Sequence, residues 1–378
     1  MPAPIVVVGA GLAGSATAWR LAQQGREVVL VEAVRPAHAG GSSHGSARIF
    51  RHAYPDRMYA ELTVRALAGW RELEAASGRG VLTTTGGLDF GAHRPVDEMA
   101  RVLDEVGLES EILDPDAARE RWPHLAFDTR VLTQPDAGVI DAETAVREMT
   151  RLAVESGARL ETGWRLASVE DTRTGLRLVS TDGGVLDASV VVVAAGGWLP
   201  ELLDALPLPD AARAALPEFR VSQQQAFHFR FPDAAPADPA DWPIFVDKGR
   251  LSVYSLPGGR DADWAGFKIA EHDGGHDTTA SGRDGLVDPA ARERIVGYVR
   301  ERLPEIDPTP YAETTCLYTS TPSEDFVIDR VGRIVLASPC SGHGAKFAPL
   351  LGELIGGLAT GDGDVPDRFR LTAGASAG

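Results

Sequence analysis

Short, fully apolar runs alternate along this chain with longer stretches in which apolar residues return every three or four positions. Residues 5–8 (Ile-Val-Val-Val) are apolar at every position, the pattern of a strand buried on both faces. A glycine turn follows, then helical spacing over 16–24, a stop at Gly25 and a second apolar strand over 27–32. Further on, the 3.6-residue period predicts helices over 56–77, 96–106, 115–121, 289–302 and 345–358. Another starts at 141–146, where Asp141 stands in the cap position. Short runs predict strands over 81–91, 159–161, 166–171, 176–180, 190–195, 219–231, 243–247, 251–256, 266–271, 326–329 and 334–337, with a Pro/Ala/Asp-rich loop over 232–241.

Strand-turn-helix-strand opens the chain and returns near its end, with a mainly β stretch between residues 219 and 321. The expected fold class is α/β: a Rossmann-like dinucleotide domain interleaved with a mostly antiparallel substrate domain. The dinucleotide domain takes residues 1–83, 147–212 and 320–378, and the substrate domain takes 84–146 and 213–319. Such interleaving favours FAD, an extended dinucleotide whose ring lies where domains meet.

Composition narrows the function. A net charge of −17 over 378 residues argues against nucleic acid as a partner. No apolar run is long enough to span a membrane, and the first lacks the basic flank of a signal peptide. Two cysteines, Cys316 and Cys340, suit a reducing cytoplasm, where an isolated thiol is either packing or chemistry. No cluster of residues has metal-ligand spacing.

The glycines at the end of the first strand, Gly9, Gly11 and Gly14, form GxGxxG in the context that gives it physical meaning. The first makes the turn, the second admits a pyrophosphate and the third lets helix pack on strand. Glu32 ends the second strand 18 residues after Gly14, placed for a ribose. Residues 40–52 form a loop of small residues around His44, with Arg48 and Arg51 three apart. Residues 190–198 end a buried run in a glycine pair, a second point where backbone can approach a cofactor. In the last quarter, Cys316 on a strand precedes Ser341-Gly342-His343-Gly344-Ala345-Lys346-Phe347.

Gly9–Gly14, Gly41-Ser42-Ser43-His44-Gly45 through Tyr54, Gly266-Phe267-Lys268, Thr314-Thr315-Cys316-Leu317-Tyr318 and Ser341–Phe347 occur in an order that resembles the monomeric sarcosine oxidase and N-methyltryptophan oxidase family, over essentially the whole chain. The resemblance implies FAD held by Gly9, Gly11, Gly14, Glu32, Ser42, Ser43, Gly342, Gly344 and Lys346, with a thioether from Cys316. It implies that Arg51 and Lys346 bind a substrate carboxylate and that Tyr254 and His272 line the pocket. Lys268 would activate oxygen, with Arg48 and His44 setting polarity beside the flavin. Residues 342–346, opening the last helix, would turn its positive end to the flavin's pyrimidine edge. Cys340 matches no family cysteine and is taken as packing. The sequence departs from the family at Ser46-Ala47 and at Glu271, where an extra carboxylate beside the pocket would alter the preferred amine.

The expected reaction is oxidation of the C–N bond of a secondary amino acid, N-methyl or cyclic, to an imine that water hydrolyses, with oxygen reduced to hydrogen peroxide. The enzyme would be a cytoplasmic monomer. Its rivals are a flavin dehydrogenase with another electron acceptor, a nicotinamide-dependent reductase and a non-catalytic FAD module.

Overall fold

A computed structural model describes residues 3–232 and 241–371, so most of the expected loop 232–241 lies outside the described residues. Its first layer is a six-stranded sheet in the order Val327–Val331, Ile334–Ser338, Val190–Val193, Ile5–Val8, Val28–Glu32, Arg159–Thr162. Every neighbouring pair is parallel except Val327–Val331 with Ile334–Ser338. The four valines Val190–Val193 and the run Ile5–Val8 are buried throughout, as strands covered on both faces must be. Helix Leu12–Gln23 covers one face and packs against the helices Ala142–Glu155 and Ala348–Thr360. Strand order reverses at Ile5–Val8, and a crevice opens there at the carboxyl ends of the strands.

The second layer is a nine-stranded sheet in which only Ile244–Lys248 and Gly87–Phe90 pair in parallel. Its long strand Arg220–Arg230 lies between Gly266–Glu271 and Ala312–Ser320. Phe227 and Phe229 enter an aromatic core beneath the sheet with Phe245 and Phe267. Removing one such ring would cost about 3–5 kcal/mol. A three-stranded sheet (Leu166–Asp171, Leu176–Ser180, Val185–Ala188) extends the first layer. Another (Arg48–Phe50, Gly138–Ile140, Leu82–Thr84) lies beside the crevice.

Asp141 does cap its helix, accepting from the Thr144 amide at 2.9 Å, a contact worth about 1 kcal/mol. Three expectations need correction. The strand expected over 81–91 is two strands, Leu82–Thr84 and Gly87–Phe90, in different sheets, because the chain turns at Gly86 with φ +70°. The loop expected over 40–52 contains the strand Arg48–Phe50. The last helix begins at Ala348, and a single 3₁₀ turn, Gly344–Phe347, stands where its first residues were expected. Glu111–Leu113, Val131–Gln134, Gly138–Ile140 and Val185–Ala188 are strands too short for alternation to reveal.

Candidate active site

A cavity of about 760 Å³ runs from the turn after Ile5–Val8 to the face of the large sheet. At its first end, Gly9 has φ +100°, and a Cβ there would lie 2.5 Å from the Ala194 carbonyl oxygen. A Cβ on Gly14 would lie 1.8 Å from the Gly9 carbonyl oxygen, so helix and strand meet only through glycine. Gly9 and Gly11 border the cavity, whereas Gly14 stands behind them. Glu32 is buried; one oxygen accepts from the Ala10 amide at 2.8 Å and the other from the Val34 amide at 2.9 Å. The Ser43 hydroxyl accepts from the Leu12 amide at 3.0 Å, and the Ser42 hydroxyl donates to the Leu317 carbonyl at 2.7 Å.

Arg48 holds the small-residue loop in shape: its guanidinium donates to the carbonyls of Ala47, Ser42 and His44 at 2.8, 3.0 and 2.8 Å. Asp261 completes the loop by accepting from the Ser46 amide at 2.7 Å. His44 does not border the cavity. Its ring is pushed down to about 3 by burial and by the cations Arg48, Lys268 and Arg283, so it is neutral, and its buried Nε2 has no partner among the described residues.

Cys316 carries a free thiol, borders the cavity and is half-buried. Arg283, which sequence reasoning missed, donates to the Thr315 carbonyl and hydroxyl at 2.6 Å each and to the Ala39 and Gly40 carbonyls. It thereby ties the Cys316 strand to the loop over the crevice. Lys268 is 5% exposed, and its ammonium donates to the Ala47 carbonyl at 3.3 Å. Burial and then Arg48 lower it to about 8, with Cys316 and Asp261 opposing. Tyr254 and Tyr318 are partly buried and hydrogen-bonded to each other; desolvation and then Cys316 push Tyr254 up to about 12, with the bond to Tyr318 opposing.

Lys346 is likewise 5% exposed, but its surroundings differ. It donates to the Tyr54 hydroxyl at 2.9 Å and to the His343 carbonyl at 2.7 Å, with no carboxylate in ion-pair range among the described residues. Burial and Arg51 hold it well below the usual lysine range. Tyr54, accepting from Lys346, donates to His343 Nδ1 at 3.0 Å, which leaves His343 Nε2–H to donate to the Glu324 carbonyl at 3.1 Å. Burial and Lys346 push His343 down to about 3, the neutral state this chain of donors requires. Arg51 lies over the Tyr54 ring at 4.7 Å, donates to the Ala53 carbonyl and approaches Asp89 at 3.9 Å. Asp89 is already engaged by Arg94 and by Gln134.

Gly342 has φ +72°, and a Cβ on it would lie 2.6 Å from the Tyr318 ring and 3.0 Å from His272. Burial and Lys248 push His272 down to about 4. His272 borders the cavity with Arg94 and Lys248, neither of which was foreseen. Tyr54 was within reach of sequence reasoning, since it ends the motif that begins at Gly41. One further expectation changes. Glu271 points away from the cavity, where Arg294 donates to it at 2.8 Å. Cys340 borders the cavity, with burial pushing its thiol up to about 11.

A crevice at the switch point of a parallel sheet, glycine-lined at one end and cation-lined at the other, defines a dinucleotide-dependent enzyme. The chain matches the family described as FAD dependent oxidoreductase (DAO) over residues 4–358. It belongs to that family and is an FAD-dependent oxidoreductase of the amino acid oxidase type. It is 28% identical over 371 residues to N-methyl-L-tryptophan oxidase of Yersinia pestis (strain Pestoides F), covering 93% of each chain. Among solved structures it is similar to NikD, described as an unusual amino acid oxidase essential for nikkomycin biosynthesis, with a TM-score of 0.84, 23% identity and 98% of each chain covered. It is also similar to L-proline dehydrogenase from P. horikoshii, with a TM-score of 0.81, 19% identity and coverage of 95% and 94%. No described helix is long and apolar enough to cross a membrane.

Proposed function

We propose that the protein oxidises the C–N bond of a secondary amino acid, N-methyl or cyclic, to an imine that is released for hydrolysis. The observation that carries this reading is Lys346, a buried lysine with only neutral partners, close to Arg51 in the cavity that the Cys316 thiol and Lys268 also line. An ammonium held that way is stabilised by an incoming anion, and the guanidinium beside it suits a carboxylate.

The residues present fit FAD. Gly9, Gly14 and Gly342 leave space or backbone approach that a side chain would remove, Glu32 ends its strand on the crevice, and the Cys316 thiol is accessible from the cavity. Gly9, Gly11, Glu32, Ser42, Ser43, Gly342 and Gly344 would hold it, with Gly14 behind them and Cys316 as the tether. The chemistry that bound FAD supplies is acceptance of a hydride equivalent from the carbon beside nitrogen, with the electrons passed to oxygen as hydrogen peroxide. Arg51 and Lys346 fix the carboxylate, and Tyr254, Tyr318 and His272 wall the pocket against water. Lys268 places a cation where oxygen gains negative charge. Neutral His44 and His272 are not proton donors near neutral pH; the amine reacts as its free base. The division into cofactor segments 1–83, 147–212 and 320–378 and substrate segments 84–146 and 213–319 belongs to the same proposal. So does action as a cytoplasmic monomer.

Anaerobic mixing with sarcosine, N-methyl-L-alanine and L-proline tests the reaction: at least one is expected to bleach the flavin absorbance, and in air peroxide should equal product. No bleaching by any secondary amino acid would refute it. Acid precipitation tests the tether. Wild-type protein should keep its yellow colour in the pellet and Cys316→Ala should lose it; colour lost from both would remove the thioether.

A further inference from the structure

The strand Ile244–Lys248 alternates cleanly. Phe245 enters the aromatic core, and Asp247 accepts from the Tyr298 hydroxyl at 2.9 Å on that side. Val246 and Lys248 face the cavity. Lys248 therefore presents its ammonium to the same space as Arg51, Arg94 and His272. It has no hydrogen-bond or ion-pair partner among the described residues. Glu324 acts on it only from beyond ion-pair distance, and burial with Arg94 lowers it from the ordinary lysine range.

Apart from Glu324, which borders the cavity, the acids at this end are engaged. Asp89 is bound by Arg94 and Gln134 and approached by Arg51. Asp325 accepts from Tyr59 and Arg368, and Arg368 also reaches Asp56. The substrate carboxylate already assigned lies between Arg51 and Lys346, which leaves Lys248 without an anion. Arg94 and Arg51 oppose this partly buried cation, and Glu324 and Asp89 favour it only from beyond ion-pair distance, so a negative group in contact would stabilise it.

We propose that the substrate carries a second carboxylate, bound by Lys248. This rests on the reading of the cavity as a site of secondary amino acid oxidation and narrows its substrates to amino dicarboxylates. The second acid lies on the side chain or on the nitrogen substituent, and paired substrates separate the two. The FAD-loaded enzyme is assayed with N-methyl-L-aspartate against N-methyl-L-alanine, and with iminodiacetate against sarcosine. In at least one pair the diacid should have a kcat/KM about tenfold or more higher. Lys248→Gln should bring that ratio close to one, and Lys248→Arg should keep most of it. Binding supplies an independent readout: calorimetry should show succinate binding about tenfold tighter than butyrate, with the preference lost in Lys248→Gln. Monoacids turned over as well as diacids, with succinate and butyrate bound alike, would overturn the proposal. A succinate preference that Lys248→Gln abolishes, in a protein whose flavin no secondary amino acid bleaches, would uphold the Lys248 site and refute the oxidation reading instead.

Discussion

Two buried lysines, Lys268 and Lys346, are equally hidden from water yet differently provided for. Lys268 is opposed by the like charge of Arg48, but Cys316 and Asp261 act in its favour, and it settles at about 8. Lys346 has Arg51 beside it and no compensating acid, so it lies well below the usual range. Burial alone does not separate them, because both are 5% exposed. The difference is in what completes each site. Lys268 is a standing cation near neutrality, suited to transient negative charge. Lys346 gains a counter-charge only when an anion arrives, which on the proposed reading makes it a group for binding an acid.

The largest effect that tests this contrast is expected from Lys346→Met. It should lower kcat/KM by roughly two to three orders of magnitude, mostly through KM, since a buried charge-assisted contact is lost. Reoxidation of the reduced flavin by oxygen should hold within about threefold. A linked signature is proton uptake. Binding of a carboxylate inhibitor raises the proton affinity of Lys346, so wild-type protein should take up protons on binding at pH values between its free and bound titration ranges. Calorimetry in buffers of different ionisation enthalpy measures it, and Lys346→Met should show none. Uptake surviving in the variant would mean that another group titrates.

Lys268→Met should give the converse. Flavin reduction under anaerobic conditions stays within about tenfold, while the oxygen rate constant falls on the order of 10². Stopped-flow traces of the two half-reactions separate them, and equal losses in both would break the comparison. In wild-type protein the charged form of Lys268 is present below about 8. The oxygen rate constant should therefore be flat at lower pH and fall up to about tenfold per unit above it. A profile that rises with pH would show that the ammonium is not the active form.

The parts of the molecule that local pattern can specify were legible. The Ile5–Glu32 unit carries its own turn, helix stop and terminal acid, and Asp141 precedes a helical run, so each announces itself within a few residues. The cationic end was half legible. Arg51 and Lys346 belong to motifs that resemble a family, whereas Arg94 and Lys248 meet because Gly87–Phe90 pairs in parallel with Ile244–Lys248, and no local pattern records a pairing between strands so far apart. The break at Gly86 had the same effect: a strand read as continuous hid the point where the chain passes from one sheet to the other.

Glu271 shows where the information was present and not used. Along Gly266–Glu271 side chains alternate, so Lys268 and His272 share the cavity face while Glu271 must lie on the other. There it meets Arg294 from helix Pro289–Arg302 at 2.8 Å, with Arg294 37% exposed. This smallest expected effect sets the background for the others. Glu271→Gln should leave the ranking of amine substrates unchanged and kcat/KM within about threefold, and a partly exposed ion pair of this kind contributes no more than about 1 kcal/mol to stability. Assaying the variant against the same paired acids measures this. A changed substrate ranking would place the carboxylate within reach of the substrate, and the cation surplus at that end would then have to be recounted with Glu271 included.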